Sequence, residues 1–406
     1  MYQSRTIEQA IRQASDFFPV VMVTGPRQVG KTTVFQNCAA ENRRYVSLDS
    51  MTNRALAQND PELFLKRFPA PVLIDEVQYA PQLFPYIKAA VDAEQKSGMF
   101  WLTGSQQFRL MKNVSESLAG RIGILRLSGF SQKEKDGTPV SPPFLPTRDL
   151  LCNRAADTGR TDLKALYRSI WKGAFPRLWQ SGDENWELFY DSYVQTYIER
   201  DVRELSSVSN EMNFLKFMKA AAARTGQLLN CAELANDVGV TQPTVKAWLS
   251  VLQTSGLVYL LTPYSNNMTN RIVKTPKLYF TDTGLAAYLT AWKTPETLET
   301  GAMNGAFLET YAVCEILKSY WHNGKQPNIY FYRDRDMKEI DVVLENGGVL
   351  YPVEIKKKTN PDKKDAAAFN VLKKSGLTVA AGSVLCMADT YLPISENANA
   401  VPLSYI

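Results

Sequence analysis

The sequence predicts an α/β protein: a parallel sheet wound with helices, then a mostly helical region, then a second, smaller α/β unit. Three observations predict it. Short apolar runs alternate with helical segments through the first 130 or so positions. A pattern of two short helices and a strand follows between Leu228 and Tyr264. From Gly305 a helix leads into three strand-like runs.

The elements follow in order. Arg5 to Phe17 reads as a helix with Ile7, Ala10, Ile11 and Ala14 on one face. Val20-Val21-Met22-Val23 is a buried parallel strand ending in glycine, and helical sequence runs from Lys31 to about Ala40. Tyr45–Leu48, Val72–Ile74 and Phe100–Thr103 are three more strands, separated by helical segments such as Gln82–Lys96. Proline clusters between Gln132 and Asp157, at Pro139, Pro142, Pro143 and Pro146, and the stretch reads as a linker or long surface loop. Leu166–Lys219 is mostly helical, with a break at Gly173–Pro176. Leu228–Tyr264 reads as a winged helix: Gly239 ends one helix, Thr241 caps the next (Gln242–Ser255, with Pro243 in its first turn), and Leu257–Leu261 is a strand. Phe307–Trp321 is a helix, Asn328–Tyr332, Glu339–Leu344 and Val349–Glu354 are strands, and Lys363–Lys374 is a last helix.

Composition bounds the chemistry. At 406 residues the chain exceeds one ordinary core, since domains run to about 100–200 residues. Net charge is only +5, and the one dense basic cluster is Lys356-Lys357-Lys358 with Lys363 and Lys364. The five cysteines are scattered and form no CxxC pair, which fits free thiols in a reducing compartment. A single histidine, His322, excludes an HExxH site or a zinc finger, so any metal here is hard and held by oxygen. His322 itself reads as a solvated cap at a helix end. No apolar run reaches the roughly 18 residues of a membrane helix, and the polar N-terminus is unlike a signal peptide, so the cytoplasm is expected and a membrane is not.

Gly25-Pro26-Arg27-Gln28-Val29-Gly30-Lys31-Thr32 matches G-x-x-x-x-G-K-[ST] in full, with a strand before it and a helix after. Glycines let backbone N–H groups close around phosphates, and the helix N-terminus adds positive potential. Lys31 is placed to reach the β- and γ-phosphates, Thr32 to ligate Mg²⁺, and Thr33 to extend the cradle. The partner motif is Val72-Leu73-Ile74-Asp75-Glu76: Asp75 would hold Mg²⁺ through water and Glu76 would orient and deprotonate the attacking water. The cofactors expected are therefore ATP and Mg²⁺, and the activity an ATPase.

These motifs resemble those of the AAA+ ATPases. On that resemblance Thr103 and Ser105, in Leu102–Gln106, are candidates for the polar sensor, and Arg121, in Ser117–Arg121, for a catalytic arginine. Arg121 would act in its own site or, through a homo-oligomer, in a neighbour's; the alternative is a surface arginine on a loop. More narrowly the chain is similar to a family of prokaryotic AAA+-type proteins with a C-terminal region of unassigned function. The resemblance rests on Leu118–Arg121, Lys172–Pro176, Tyr197–Val202, Leu278–Leu285 and Val353–Lys356. The expected organisation is an AAA+ domain over 1–135, a linker over 136–165, a helical and winged-helix region over 166–300 and a nuclease-like domain over 301–406.

A winged helix suggests DNA, with Thr241, Gln242, Thr244 and Lys246 facing it and Asn270, Arg271 and Lys274 adding charge. Such units also serve as packing modules. In the last unit Asp341 and, thirteen positions on, Glu354-x-Lys356 lie in apolar strands. This arrangement resembles the PD-(D/E)XK nuclease fold, with Ile340 in place of the proline. The resemblance implies Asp341 and Glu354 as Mg²⁺ ligands, with Glu309 able to complete the cluster, and Lys356 helping to activate water or stabilise the transition state. Two functions stay open: an ATPase acting on DNA through a winged helix and a nuclease-like domain, or a nucleotide-regulated switch or scaffold that cuts nothing.

Overall fold

The computed structural model describes residues 2–104, 117–157, 162–197, 211–265, 275–334 and 336–406. Ser105, Ile198–Val202, Asn270, Arg271 and Lys274 lie outside the described residues. The first sheet comprises β1 (Val20–Thr24), β2 (Arg44–Ser47), β3 (Val72–Asp75), β4 (Phe100–Gly104) and β5 (Ile122–Arg126). All neighbours are parallel, in the order β2-β3-β4-β1-β5. Side chains alternate between its faces. Val21, Val23, Leu73, Trp101 and Leu125 enter one core, while Val20, Met22, Val72, Ile74, Phe100 and Leu102 enter another. Helices α1 (Ile7–Phe17), α2 (Lys31–Cys38), α3 (Met51–Asn59), α4 (Pro61–Arg67) and α5 (Leu83–Glu94) complete the layers.

Strand β5 escapes sequence reading for a physical reason. It is a sheet edge, its Ile124 is exposed, and Gly123 stands where a side chain would strike the Phe18 ring. No continuous apolar run results.

The stretch read as a linker is instead a packed strap. Its helix α6 (Gln132–Lys135) closes with a capping box between Ser131 and Glu134, and α7 (Arg148–Asp157) follows. Phe144 and Leu151 are buried. Prolines suppress regular structure here, but they do not prevent burial, because backbone groups find side-chain partners. The Phe144 N–H donates to Ser319 Oγ at 2.9 Å, Asn323 Nδ2 donates to the Ser141 carbonyl at 3.0 Å, and an Arg154 guanidinium N–H donates to the Pro142 carbonyl at 2.6 Å.

The middle of the chain holds α8 (Leu163–Lys172), α9 (Pro176–Trp179), α10 (Trp186–Tyr197), α11 (Glu211–Ala222), α12 (Cys231–Val238) and α13 (Gln242–Thr254). Gly239 ends α12 in the left-handed region, and Thr241 caps α13 by accepting from the Thr244 N–H. A small antiparallel sheet of β6 (Gln227–Leu228), β7 (Val258–Leu261) and β8 (Lys277–Phe280) flanks them in the order β6-β8-β7. Then come α14 (Thr283–Leu289), α15 (Pro295–Thr300) and the long α16 (Asn304–Trp321).

The second large sheet holds β9 (Ile329–Arg333), β10 (Glu339–Asn346), β11 (Val349–Ile355), β12 (Thr378–Val379), β13 (Gly382–Cys386), β14 (Leu392–Ser395) and β15 (Ala398–Pro402). Strands β9, β10 and β11 pair antiparallel, and β13 joins β11 in parallel. The helix expected at Lys363–Lys374 is a 3₁₀ segment over Ala367–Ser375. Buried Ala366, Phe369 and Leu372 repeat every three residues, the period of a 3₁₀ turn.

One apolar core takes in residues from Ile7 to Ile406 and draws on the first sheet, the middle helices and the C-terminal sheet. Among the described residues no helix is long and apolar enough to cross a membrane.

Candidate nucleotide site and a buried acidic cluster

Because the first sheet is parallel, β1, β3 and β4 deliver their C-terminal ends to one edge. The loop Gly25–Gly30 leaves β1 there and enters α2, and Asp75 and Thr103 arrive from β3 and β4. Gly25 has φ 145, and a Cβ on it would strike the Leu127 carbonyl, so only glycine fits. Gln28 (φ 61) and Gly30 (φ 92) also lie in the left-handed region, which folds the loop back on itself. Val29 anchors it in the core, Arg27 is half-buried and Thr33 is exposed.

Lys31 is buried and donates to the Gly25 carbonyl at 3.1 Å and the Pro26 carbonyl at 2.7 Å. Thr32 Oγ1 donates to Asp75 Oδ1 at 2.8 Å. Thr103 Oγ1 donates to the same oxygen and accepts the Glu76 N–H at 3.1 Å. Tyr45 donates its hydroxyl to Asp75 Oδ2 at 3.0 Å. Tyr45 was missed as a site residue: it lies in the edge strand β2 and reads there as an ordinary β-residue. Glu76 has φ 56, turning its side chain away from the β3 direction, and Gln78 Nε2 donates to its Oε2. The oxygen donors Thr32 and Asp75 fit a hard divalent ion.

Arg121 is not at this edge. It directly precedes β5, whose Ile122 pairs with Val20 at the start of β1, while the loop follows Thr24 at the other end. There it makes an exposed ion pair with Asp92 at 2.5 Å. A role in its own site is therefore ruled out by sheet direction.

Behind the loop lies a charged network within the core. The Arg5 guanidinium donates to the Val29 carbonyl at 3.0 Å and the Ser128 carbonyl at 2.9 Å, and lies 3.1 Å from Glu134 Oε1. His322 Nδ1 is 3.2 Å from that same Glu134 oxygen, and the Ser128 N–H donates to His322 Nε2 at 3.2 Å. His322 is only 1% exposed, which corrects the expectation of a solvated cap: the strap folds over the end of α16 and buries it. Burial holds the His322 imidazole below its usual range, against the pull of Glu134. Glu134 resists its own burial because Arg5 and His322 hold its carboxyl far below the ordinary value.

The second cluster lies on β8, α16, β10 and β11. Asp341 and Glu354 are brought together, as the positions next to the pair Val342–Val353. Asp341 Oδ2 accepts the Ile355 N–H at 2.9 Å, and Lys356 Nζ donates to Glu354 Oε1 at 2.6 Å. Glu354 Oε2 is buried with no hydrogen-bond partner among the described residues. Glu309 is also present, but it accepts from Lys277 Nζ at 2.9 Å and Tyr279 OH at 2.6 Å. Burial, and then the charge of Asp341, push Glu309 and Glu354 each up to about 7. Lys277 and Glu339 were missed; Lys277 is buried, and its carboxylate partners come from α16 and β10, far from it in sequence. Among the described residues no group of three or more His, Cys, Asp or Glu side chains is arranged to hold a metal ion. Lysine ammonium groups stand beside the carboxylates expected to hold Mg²⁺: Lys277 Nζ lies 2.9 Å from Glu309 and 4.0 Å from Asp341, and Lys356 pairs with Glu354.

Comparison with known proteins follows the same division. Residues 18–135 match a family described as an AAA domain. The first sheet and its loop form a P-loop ATPase-type fold. Residues 163–296 and 304–406 each match a domain of unknown function (DUF8612 and DUF4143). Uncharacterized proteins of Mycobacterium tuberculosis and Mycobacterium bovis are each 27% identical over 408 residues, covering 100% of this chain and 85% of their own length. Among solved structures, a Walker-type ATPase of Pyrococcus abyssi is 14% identical, covering 71% of this chain and 96% of its own, with a TM-score of 0.46. The Thermotoga maritima RuvB Holliday junction branch migration motor is 16% identical, covering 63% and 89%, with a TM-score of 0.30.

Proposed function

We propose that this protein binds Mg-ATP at Gly25–Thr33, hydrolyses it, and uses the cycle to control contact with DNA. The observation that carries the ATPase reading is the convergence of Thr32 and Thr103 on Asp75 beside the buried Lys31. Mg-ATP, when bound, supplies the Lewis acid and the phosphoryl group to be transferred. Lys31 exchanges its loop carbonyls for the β- and γ-phosphates, and the loop N–H groups take the remaining oxygens. Thr32 and Asp75 hold the ion. Thr103 fixes Asp75 and the Glu76 backbone relative to each other, and Glu76 takes a proton from the attacking water. In this reading Arg121, on the far edge, serves a neighbouring copy's γ-phosphate; the alternative is a surface arginine held by Asp92.

The DNA reading rests on α13, with α12 and the three-stranded sheet taken as a winged helix. Thr241, Gln242 and Lys246 are exposed on it, and Thr244 is half-buried. Gly256, just beyond α13, faces the phosphate loop: a Cβ there would come 3.1 Å from Pro26 Cδ. Nucleotide-driven movement of the loop thus has a direct mechanical path to α13. In this reading the C-terminal sheet, where β13, β11, β10 and β9 lie side by side, is taken as nuclease-like and serves binding rather than cleavage.

Steady-state ATP turnover tests the core of the proposal. Lys31→Ala is expected to lose nucleotide binding. Glu76→Gln is expected to keep binding while turnover falls about 10²-fold or more. Full turnover in Glu76→Gln would remove the role given to Glu76. For DNA, Lys246→Ala is expected to weaken duplex binding and lower its salt dependence by about one ion.

A further inference from the structure

The cluster around Lys277 holds its own cation. Lys277 Nζ lies 2.6 Å from Glu339 Oε1, 2.9 Å from Glu309 Oε1 and 4.0 Å from Asp341 Oδ1. Its side chain is 4% exposed and its ammonium lies 5.7 Å from the centre of the Phe331 ring. A divalent ion coordinated by these carboxylates would have to stand where the ammonium stands. Mg²⁺ demands about six oxygens at 2.0–2.1 Å, so the two cannot share the space. Displacing Lys277 would leave a buried ammonium against an aromatic ring with its carboxylates taken, which is strongly unfavourable.

The charge balance agrees. Glu309, Glu339, Asp341 and Glu354 are met by Lys277, by Lys356 at 2.6 Å from Glu354, and by Arg333 at 3.3 Å from Glu339. Three cations against four carboxylates leave little negative charge to attract a divalent ion. The Tyr279 hydroxyl occupies a further acceptor site on Glu309. Lys277 and Tyr279 both belong to β8, whereas Glu339, Asp341 and Glu354 belong to β10 and β11. The ammonium therefore joins two sheets.

We infer that Lys277 is the resident cation of this site, that it excludes divalent metal, and that it bolts the three-stranded sheet to the C-terminal sheet. The inference does not depend on nucleotide binding, so it is tested without nucleotide. Mn²⁺ is titrated into the full chain and free Mn²⁺ is followed by electron paramagnetic resonance, with thermal unfolding measured in parallel.

The wild type is expected to bind no Mn²⁺ below about 1 mM, and Mn²⁺ is expected to leave its Tm unchanged. Lys277→Met is expected to unfold at lower temperature and to gain one Mn²⁺ site tighter than about 100 µM, because the uncovered carboxylates then face a hard cation. Asp341→Asn added to it is expected to abolish that site. Wild-type binding in the micromolar range that Asp341→Asn removes would overturn the inference. So would a folded Lys277→Met protein that binds no Mn²⁺. If Lys277→Met does not fold, Lys277→Arg replaces it: retained folding without Mn²⁺ binding supports a cation requirement, and Mn²⁺ binding by this variant refutes it.

Discussion

His322 offers an unusually clean residue-scale measurement because the chain contains one histidine. Its folded pKa is depressed by burial, while the unfolded value is about 6.5. Below that pH the unfolded chain takes a proton that the folded chain refuses. Stability is thus full above about 6.5 and falls as pH drops, by at most about 1.4 kcal/mol per pH unit for this one group. Denaturant melts from pH 7.5 to 5.5 are expected to show this slope, and His322→Gln to flatten it. Glu134 adds to the loss lower down, as pH falls below the ordinary carboxylate range, because its folded pKa is depressed too. Neither effect is legible in the sequence. His322 follows Trp321 at a helix end, a place where solvent is the usual neighbour, and its partner Glu134 lies 188 positions away. By contrast Lys31, Thr32 and Asp75 are read directly, since their chemistry needs a fixed local spacing and a strand before it.

At the scale of elements, local signals succeed where the element carries its own periodicity. Helix α13 shows its cap at Thr241, its proline in the first turn and its stop before Gly256, and all three are found in place. Strand β5 and the short strands after Gly376 lack such signals, because their register depends on partners far away in sequence. The strap shows the reverse error, in which proline content suggested exposure. Phe144→Ala is expected to cost about 3–5 kcal/mol in a chemical melt, as for a filled core position. A substitution in a true linker would change stability by less than about 0.5 kcal/mol. The candidate acidic cluster divides in the same way. Asp341, Glu354 and Lys356 share a hairpin and are visible together, whereas Lys277 arrives from another sheet.

At the scale of the molecule, the shared core from Ile7 to Ile406 governs behaviour. Separate domains joined by linkers would unfold in separate steps. Here calorimetry is expected to show one dominant transition for wild type, and Arg5→Met to lower its temperature and reduce ATP binding together. That variant leaves the Glu134 carboxylate without its nearest cation while removing the anchor of the Val29 carbonyl. A melt with two resolved transitions, the lower one confined to the C-terminal sheet, would contradict this account.

The strap and the Arg5–Glu134–His322 contact also bear on descent. An AAA-type unit that ended in a free linker could be recombined with many partners. In this chain, exchanging the C-terminal unit for a foreign one would strand Glu134 beside a surface that no longer supplies His322, and would leave Phe144 without Ser319 to hold its backbone. Hybrids made by gene fusion at the strap should therefore fail to accumulate unless α16 travels with residues 128–157. The three units are built to be inherited as one piece.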